Sequence, residues 1–150
     1  MYLTAYELIK RFPDEKSAMK YLEFVRWRGK PVCPRCGHHK GQYKQRRRCV
    51  EGYYRCQHCL LVYTVRTGTL FERSHVSLDK WLFALYCAVK SQHRLSPTAL
   101  AREIDVTVKT ARQLIDRIRS HCVSDRDLFL KQQWSCLFEK PSVLELGLVS

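Results

Sequence analysis

Two cysteine pairs, Cys33-Pro-Arg-Cys36 and Cys56-Gln-His-Cys59, stand with nineteen residues between them. A pair on a tight turn delivers two sulfurs to one side of a metal, and two such turns complete a tetrahedral cage. The spacing predicts a zinc ribbon in which Cys33, Cys36, Cys56 and Cys59 hold one Zn2+. Four thiolates leave no open coordination position, so the expected metal is structural rather than catalytic. Cys49, Cys87, Cys122 and Cys136 show no pairing pattern. Cys49 and His58 are the nearest competing ligands, being close to the second pair. The ribbon stretch is short and polar, and metal binding is expected to supply the stability that a small core lacks.

The first residues, Met-Tyr-Leu-Thr, carry no apolar run and no cleavage signal, which points away from secretion. No stretch is long and apolar enough to span a membrane. A reducing compartment follows, where Cys-x-x-Cys means metal rather than disulfide. The formal net charge is +13, and it is uneven. Residues 1–76 hold 16 Lys and Arg against 6 acids, and residues 77–120 hold 8 against 4. Residues 121–150 hold 3 against 4. Clustered basic charge is the footprint of a polyanion binder, although a solvated basic surface gives the same count.

The expected fold class is a small α+β chain, with an N-terminal helix, a four-cysteine ribbon of short antiparallel strands, and a three-helix helix-turn-helix unit. The boundaries read as 1–30 for a bracing helical segment, 31–76 for the ribbon, 77–120 for the helix-turn-helix and 121–150 for a tail. Residues 3–12 form a weakly helical lead-in ending at Pro13. Asp14 caps a helix from about Glu15 to Trp27, with Ala18, Tyr21, Leu22, Phe24 and Val25 at helical spacing. Gly29 and Pro31 end it. Strands are expected over Tyr43–Arg48, Tyr53–Cys56 and Leu61–Arg66, with Gly52 in the turn of the first hairpin.

Lys44, Arg46, Arg47, Arg48 and Arg55 crowd that hairpin, interleaved with Tyr43, Tyr53 and Tyr54. Cations of this kind suit phosphates, and the rings suit bases or sugars. A charged edge strand shielding itself from aggregation gives the same run. Further on, Ser77 caps a helix to about Ser91, with Leu78, Trp81, Leu82, Leu85, Tyr86 and Val89 as its apolar face. Ser96-Pro97 opens a short helix to Glu103, Ile104-Asp105-Val106 turns the chain, and Thr107 caps a third helix to about Ser120. Asp105 stands where glycine is usual, and aspartate tolerates the left-handed conformation. Leu100, Ile104, Val106, Ala111, Leu114, Ile115 and Ile118 read as core. The expected DNA face carries Thr107, Lys109, Thr110, Arg112, Gln113 and Arg117, beside Asp116. Arg112 and Gln113 have the side chains that read guanine and adenine.

One combination is more specific than any of its parts. Leu22-Glu23-Phe24-Val25-Arg26-Trp27 precedes Cys33-Pro34-Arg35-Cys36-Gly37, and Tyr54-Arg55-Cys56-Gln57-His58-Cys59 follows. Then come Tyr63-Thr64-Val65-Arg66-Thr67-Gly68-Thr69-Leu70-Phe71, the residues Leu78, Trp81 and Tyr86, and Lys109-Thr110-Ala111. Over roughly residues 5–120 this resembles the N-terminal half of zinc-ribbon insertion-sequence transposases, the bacterial group related to Merlin elements.

The resemblance implies binding of double-stranded DNA at transposon terminal repeats, in the bacterial cytoplasm at the nucleoid, with no membrane partner and no small-molecule substrate. In that family a ribonuclease-H-like domain follows, whose acidic residues hold two metal ions. Here the residues after Ser120 include Asp125, Asp127, Glu139 and Glu145, and the family's Asp-Glu pair is missing. The expectation is therefore a truncated transposase that recognises ends without catalysis, its tail lying outside the family pattern, and that either competes with an intact transposase for those ends or is a decayed remnant with no selected role. Two alternatives stand beside it. One is a protein-recruiting ribbon using Trp27, Phe71 and Trp134 as its surface. The other is a DNA-binding subunit whose catalytic domain is on another chain.

Overall fold

The structure is a computed structural model that describes residues 4–40, 42–47, 50–91 and 94–123. Helix α1 (Ala5–Arg11) is opened by a reciprocal cap in which Thr4 and Glu7 satisfy each other's backbone N–H. Helix α2 (Glu15–Trp27) has the expected bounds, and the Asp14 carboxylate accepts the Ser17 N–H at 2.7 Å. Arg28 and Gly29 both take positive φ and end α2. Ala18 and Leu22 are buried and Val25 packs against the core, but Phe24 is 58% exposed. Two residues on from Leu22, it is carried to the opposite side of the helix, so the inclusion of Phe24 in the helical apolar spacing is corrected.

Strands β1 (Gln42–Arg47), β2 (Val50–Cys56) and β3 (Val62–Tyr63) form an antiparallel sheet in that order. Arg47 pairs with Val50 and Gln45 with Tyr53, so Gly52 lies within β2 and not in the turn of the first hairpin. This register leaves one extra residue on β2. Gly52 sits in that bulge at φ 92°. The third strand stops at Tyr63 instead of reaching Arg66. Past Tyr63 the threonines divert the backbone: the Thr64 N–H donates to the Thr67 hydroxyl, and the Thr69 hydroxyl donates to the Arg66 carbonyl. Such local bonds compete with a sheet ladder.

Helices α3 (Leu78–Lys90), α4 (Pro97–Glu103) and α5 (Val108–Val123) complete the described chain. Ser77 occupies the cap position of α3 without a side-chain cap bond. Asp105 takes φ 50° in the turn between α4 and α5, as its residue type allows. The expected core positions from Leu100 to Ile118 are buried except Val106, which is half-buried against the core, as is Val89 of α3.

A single buried cluster runs from Leu8 and Leu22 through Tyr54 and Tyr63 to Trp81 and Ile118. Helices α1 and α2 pack on α3, and the C-terminal end of α2 reaches the sheet. There Trp27 meets Tyr54 edge-on at 5.2 Å and Tyr63 at 5.8 Å between ring centres. Phe71 meets Trp81 in the same way at 5.4 Å. Trp27 and Phe71 are therefore core residues, and the recruiting surface expected of them is corrected. Trp134 lies outside the described residues.

Candidate metal centre and nucleic-acid interface

Two loops of matching geometry build the metal centre. In the first, the Gly37 N–H donates to the Cys33 carbonyl at 2.9 Å, and Gly37 has φ 68°. In the second, the Leu60 N–H donates to the Cys56 carbonyl at 3.0 Å, and Leu60 has φ 60°. Each loop closes back on itself, through Cys33 N–H to His38 O and Cys56 N–H to Leu61 O. The two loops face each other. The sulfurs of Cys33 and Cys59 are 3.5 Å apart, those of Cys36 and Cys56 are 3.6 Å apart, and all four lie within 4.8 Å.

A tetrahedron with zinc–sulfur bonds of about 2.3 Å has edges of about 3.8 Å, so the cluster suits a structural zinc ion. The distances are far longer than the roughly 2.05 Å of a disulfide. The closeness of the sulfurs also shapes the electrostatics of the site. The His38 backbone N–H draws the Cys36 thiol down, but desolvation and the neighbouring sulfurs of Cys56, Cys33 and Cys59 push it up to about 12. Four thiolates at such distances repel one another unless a dication offsets their charge. Burial and the Cys33 and Cys56 sulfurs also raise the Tyr63 phenol, which keeps it neutral against the cage.

His58 is exposed and stacks on His38, with ring centres 5.1 Å apart, and is not part of the sulfur cluster. Cys87 is half-buried on α3, and its thiol is pushed up to about 11, chiefly by burial. Cys49 lies outside the described residues.

The cations expected to meet DNA lie on the first hairpin and on α5. Lys44, Arg46 and Arg47 lie on β1, and Arg48 is outside the described residues. Arg55 on β2 is half-buried, and its Nε finds no hydrogen-bond partner among the described residues. Tyr53 is half-buried, but Tyr54 is in the core and donates its hydroxyl to Glu23 at 3.0 Å. Its expected role as a ring packing on DNA is corrected, because Trp27 and Tyr63 cover it.

On α5, Lys109, Arg112, Gln113 and Asp116 are exposed. The Thr107 hydroxyl accepts the Thr110 N–H at 3.1 Å and lies 2.9 Å from the Thr110 hydroxyl, so this pair forms the helix cap. Arg117 is half-buried, and its Nη1 donates to the carbonyls of Leu70 at 3.1 Å and Glu72 at 2.9 Å. From Thr64 to Val76 the sequence pointed to the end of a strand and to the run shared with the transposases, not to a joint between the ribbon side and the helices. There the Arg66 guanidinium donates to the carbonyls of Ser74 and Val76 and pairs with Glu15, and Arg26 donates to the Val65 carbonyl. The Thr67-Gly68-Thr69 run was the available signal for this joint.

A four-cysteine ribbon, braced by a helix and joined through one core to three more helices, defines a small zinc-ribbon protein. Residues 13–61 match the family model described as a transposase zinc-ribbon domain. The chain is also 34% identical, over 113 residues or 73% of its length, to an uncharacterized protein in transposable element ISH50 of Halobacterium salinarum. That alignment spans 36% of the relative's own length. No solved structure matches the chain. The chain is thus similar to transposase-related proteins through its zinc ribbon, in agreement with the resemblance carried by its motifs. Among the described residues no helix is long and apolar enough to cross a membrane.

Proposed function

We propose that this chain is the DNA-recognition module of a transposase and grips duplex DNA at transposon terminal repeats. The observation that carries the reading is the placement of α5. Its N-terminal half follows a tight left-handed turn, packs on α4, and leaves Lys109, Arg112 and Gln113 exposed. A recognition helix enters the major groove with those turns first. Beside it stands a ribbon poor in opposing charge, since no acid occurs between Glu23 and Glu51 or between Glu51 and Glu72. In this reading Lys44, Arg46, Arg47, Arg48 and Arg55 neutralise phosphates, and the ribbon and helical unit, 31–76 and 77–120, bind as one surface.

The module works at the nucleoid and recognises without cutting. Two-metal strand transfer requires carboxylates converging from several strands, and the candidates Asp125, Asp127, Glu139 and Glu145 lie outside the described residues. The ribbon metal, with four sulfur ligands, has no position left for a phosphate. A second reading places cleavage on another chain that works with this one.

The test is binding to a duplex selected by the protein from a randomised library, compared with the unselected library. Gln113→Ala and Arg112→Ala are expected to weaken the selected duplex by about 1–3 kcal/mol each, with little change on the random pool. Arg47→Ala is expected to weaken both alike and to flatten the salt dependence. Equal losses on both pools for Gln113→Ala remove it as a base reader. Magnesium- or manganese-dependent nicking that disappears in Asp125→Ala or Asp127→Ala overturns the non-catalytic reading.

A further inference from the structure

Arg117 belongs by sequence to the basic face of α5, yet its guanidinium is turned inward onto two backbone carbonyls. Those carbonyls are held firmly. Leu70 and Phe71 are 1% and 2% exposed, and the Phe71 ring is wedged against Trp81. The segment is tied on both sides of them, by Arg26 at Val65 and by Arg66 at Ser74 and Val76, while the Trp81 indole N–H donates to the Ser74 hydroxyl at 2.9 Å. At the other end of the exposed face, Lys80 of α3 donates its ammonium to the Asp105 carbonyl at 3.0 Å, in the turn that launches α5. Two charged clamps thus bracket Lys109, Arg112 and Gln113, and Arg117 stands one helical turn after Gln113. Charge-assisted hydrogen bonds to fixed carbonyls are strong and directional.

We propose that Arg117 is a positioning residue: by clasping the Leu70 and Glu72 carbonyls it sets the angle at which α5 offers Arg112 and Gln113 to DNA. The inference rests on the DNA-recognition reading and adds to it that the ribbon-side segment, and not only α4, orients the reading helix. Recognition groups need to be held within about 0.5 Å of productive geometry. A helix freed at this point keeps its charges and loses its aim.

The test uses the full zinc-loaded chain, with Arg117→Gln and Lys80→Gln as separate variants. Each is measured against the wild-type-selected duplex and the unselected library over a series of salt concentrations, together with amide hydrogen exchange. Each variant is expected to lose about ten-fold of the preference for the selected duplex. The salt slope is expected to stay at the wild-type value. Amides in 70–73 and along α5 are expected to exchange faster in Arg117→Gln. A slope reduced by about one phosphate contact in Arg117→Gln, with unchanged exchange at 70–73, overturns the proposal and makes Arg117 a direct DNA contact. Unchanged preference in both variants also overturns it. A wild-type protein that enriches no duplex removes the DNA reading and the positioning role with it. If Arg117→Gln does not fold, Arg117→Lys is read by the same measurements: retained charge with lost preference supports positioning, and wild-type preference despite faster exchange at 70–73 overturns it.

Discussion

Two residues share a positive φ and are expected to respond oppositely to substitution. Leu60 closes the second metal loop at φ 60°, the place Gly37 fills in the first, and its side chain is 59% exposed. An exposed leucine held left-handed carries strain without compensating burial. Leu60→Gly is expected to stabilise the zinc-loaded protein by up to about 1 kcal/mol, read as a raised denaturant midpoint. Gly52 lies in the β2 bulge at φ 92°, and a β-carbon there meets the Met19 sulfur. Met19 can swing aside, but the backbone angle cannot relax while β1 and β2 stay paired. Gly52→Ala is therefore expected to destabilise by about 1–3 kcal/mol in the same assay. A neutral result would mean that the bulge is soft.

At the scale of the element, α2 carries a pH-sensitive cap. The Ser17 backbone N–H, followed by the Ser17 hydroxyl, holds the Asp14 carboxyl below its ordinary 3.8. A carboxylate depressed in the folded state stabilises above its unfolded pKa, and the stabilisation is lost as pH falls through the lowered folded value. The cap of α2 is thus expected to weaken only below about pH 4. Thermal melts of wild type and Asp14→Asn should differ in slope there and run parallel above it. Comparing the two proteins removes the acid lability of the metal site, which they share. The same element shows why the third strand of the ribbon is short. The Thr64, Thr67 and Thr69 hydroxyls offer the backbone bonds that a strand would otherwise make, and Arg66 anchors the result to Glu15.

For the whole molecule, the continuous core makes the metal a condition of more than its own loops. Cys33 and Cys56 are 1% and 0% exposed and belong to the same buried cluster as Trp27, Tyr54, Tyr63 and Trp81. Metal binding energy in such a ribbon is folding energy. Chelating the zinc is expected to abolish the near-ultraviolet circular dichroism of the Trp27–Tyr54–Tyr63 cluster and to lower the helical signal in the same transition. Helical signal that persists after the aromatic signal has gone would show that the helices fold without the ribbon. Single serine variants at Cys33, Cys36, Cys56 and Cys59 are each expected to lose the metal. Retention by Cys56→Ser with loss by Cys49→Ser would reassign the ligand set.

The sequence by itself determined what depends on spacing along the chain. Cysteine separation specified the cage, and periodicity with caps specified α2, α4 and most of α5, because turns and helices close bonds over three or four residues. The left-handed Asp105 was legible for the same reason. Tertiary structure alone decided which polar and aromatic groups are spoken for. Tyr54, Trp27 and Phe71 look like surface rings in sequence, and long-range packing placed them in the core. Arg117 looks like one more cation on an exposed face, and two carbonyls forty-five and forty-seven residues away turned it inward. Gly52 reads as a hairpin turn, and its actual duty is set by the register of β1 against β2. No local pattern encodes a partner that distant; it exists only once the ribbon has folded onto the helices.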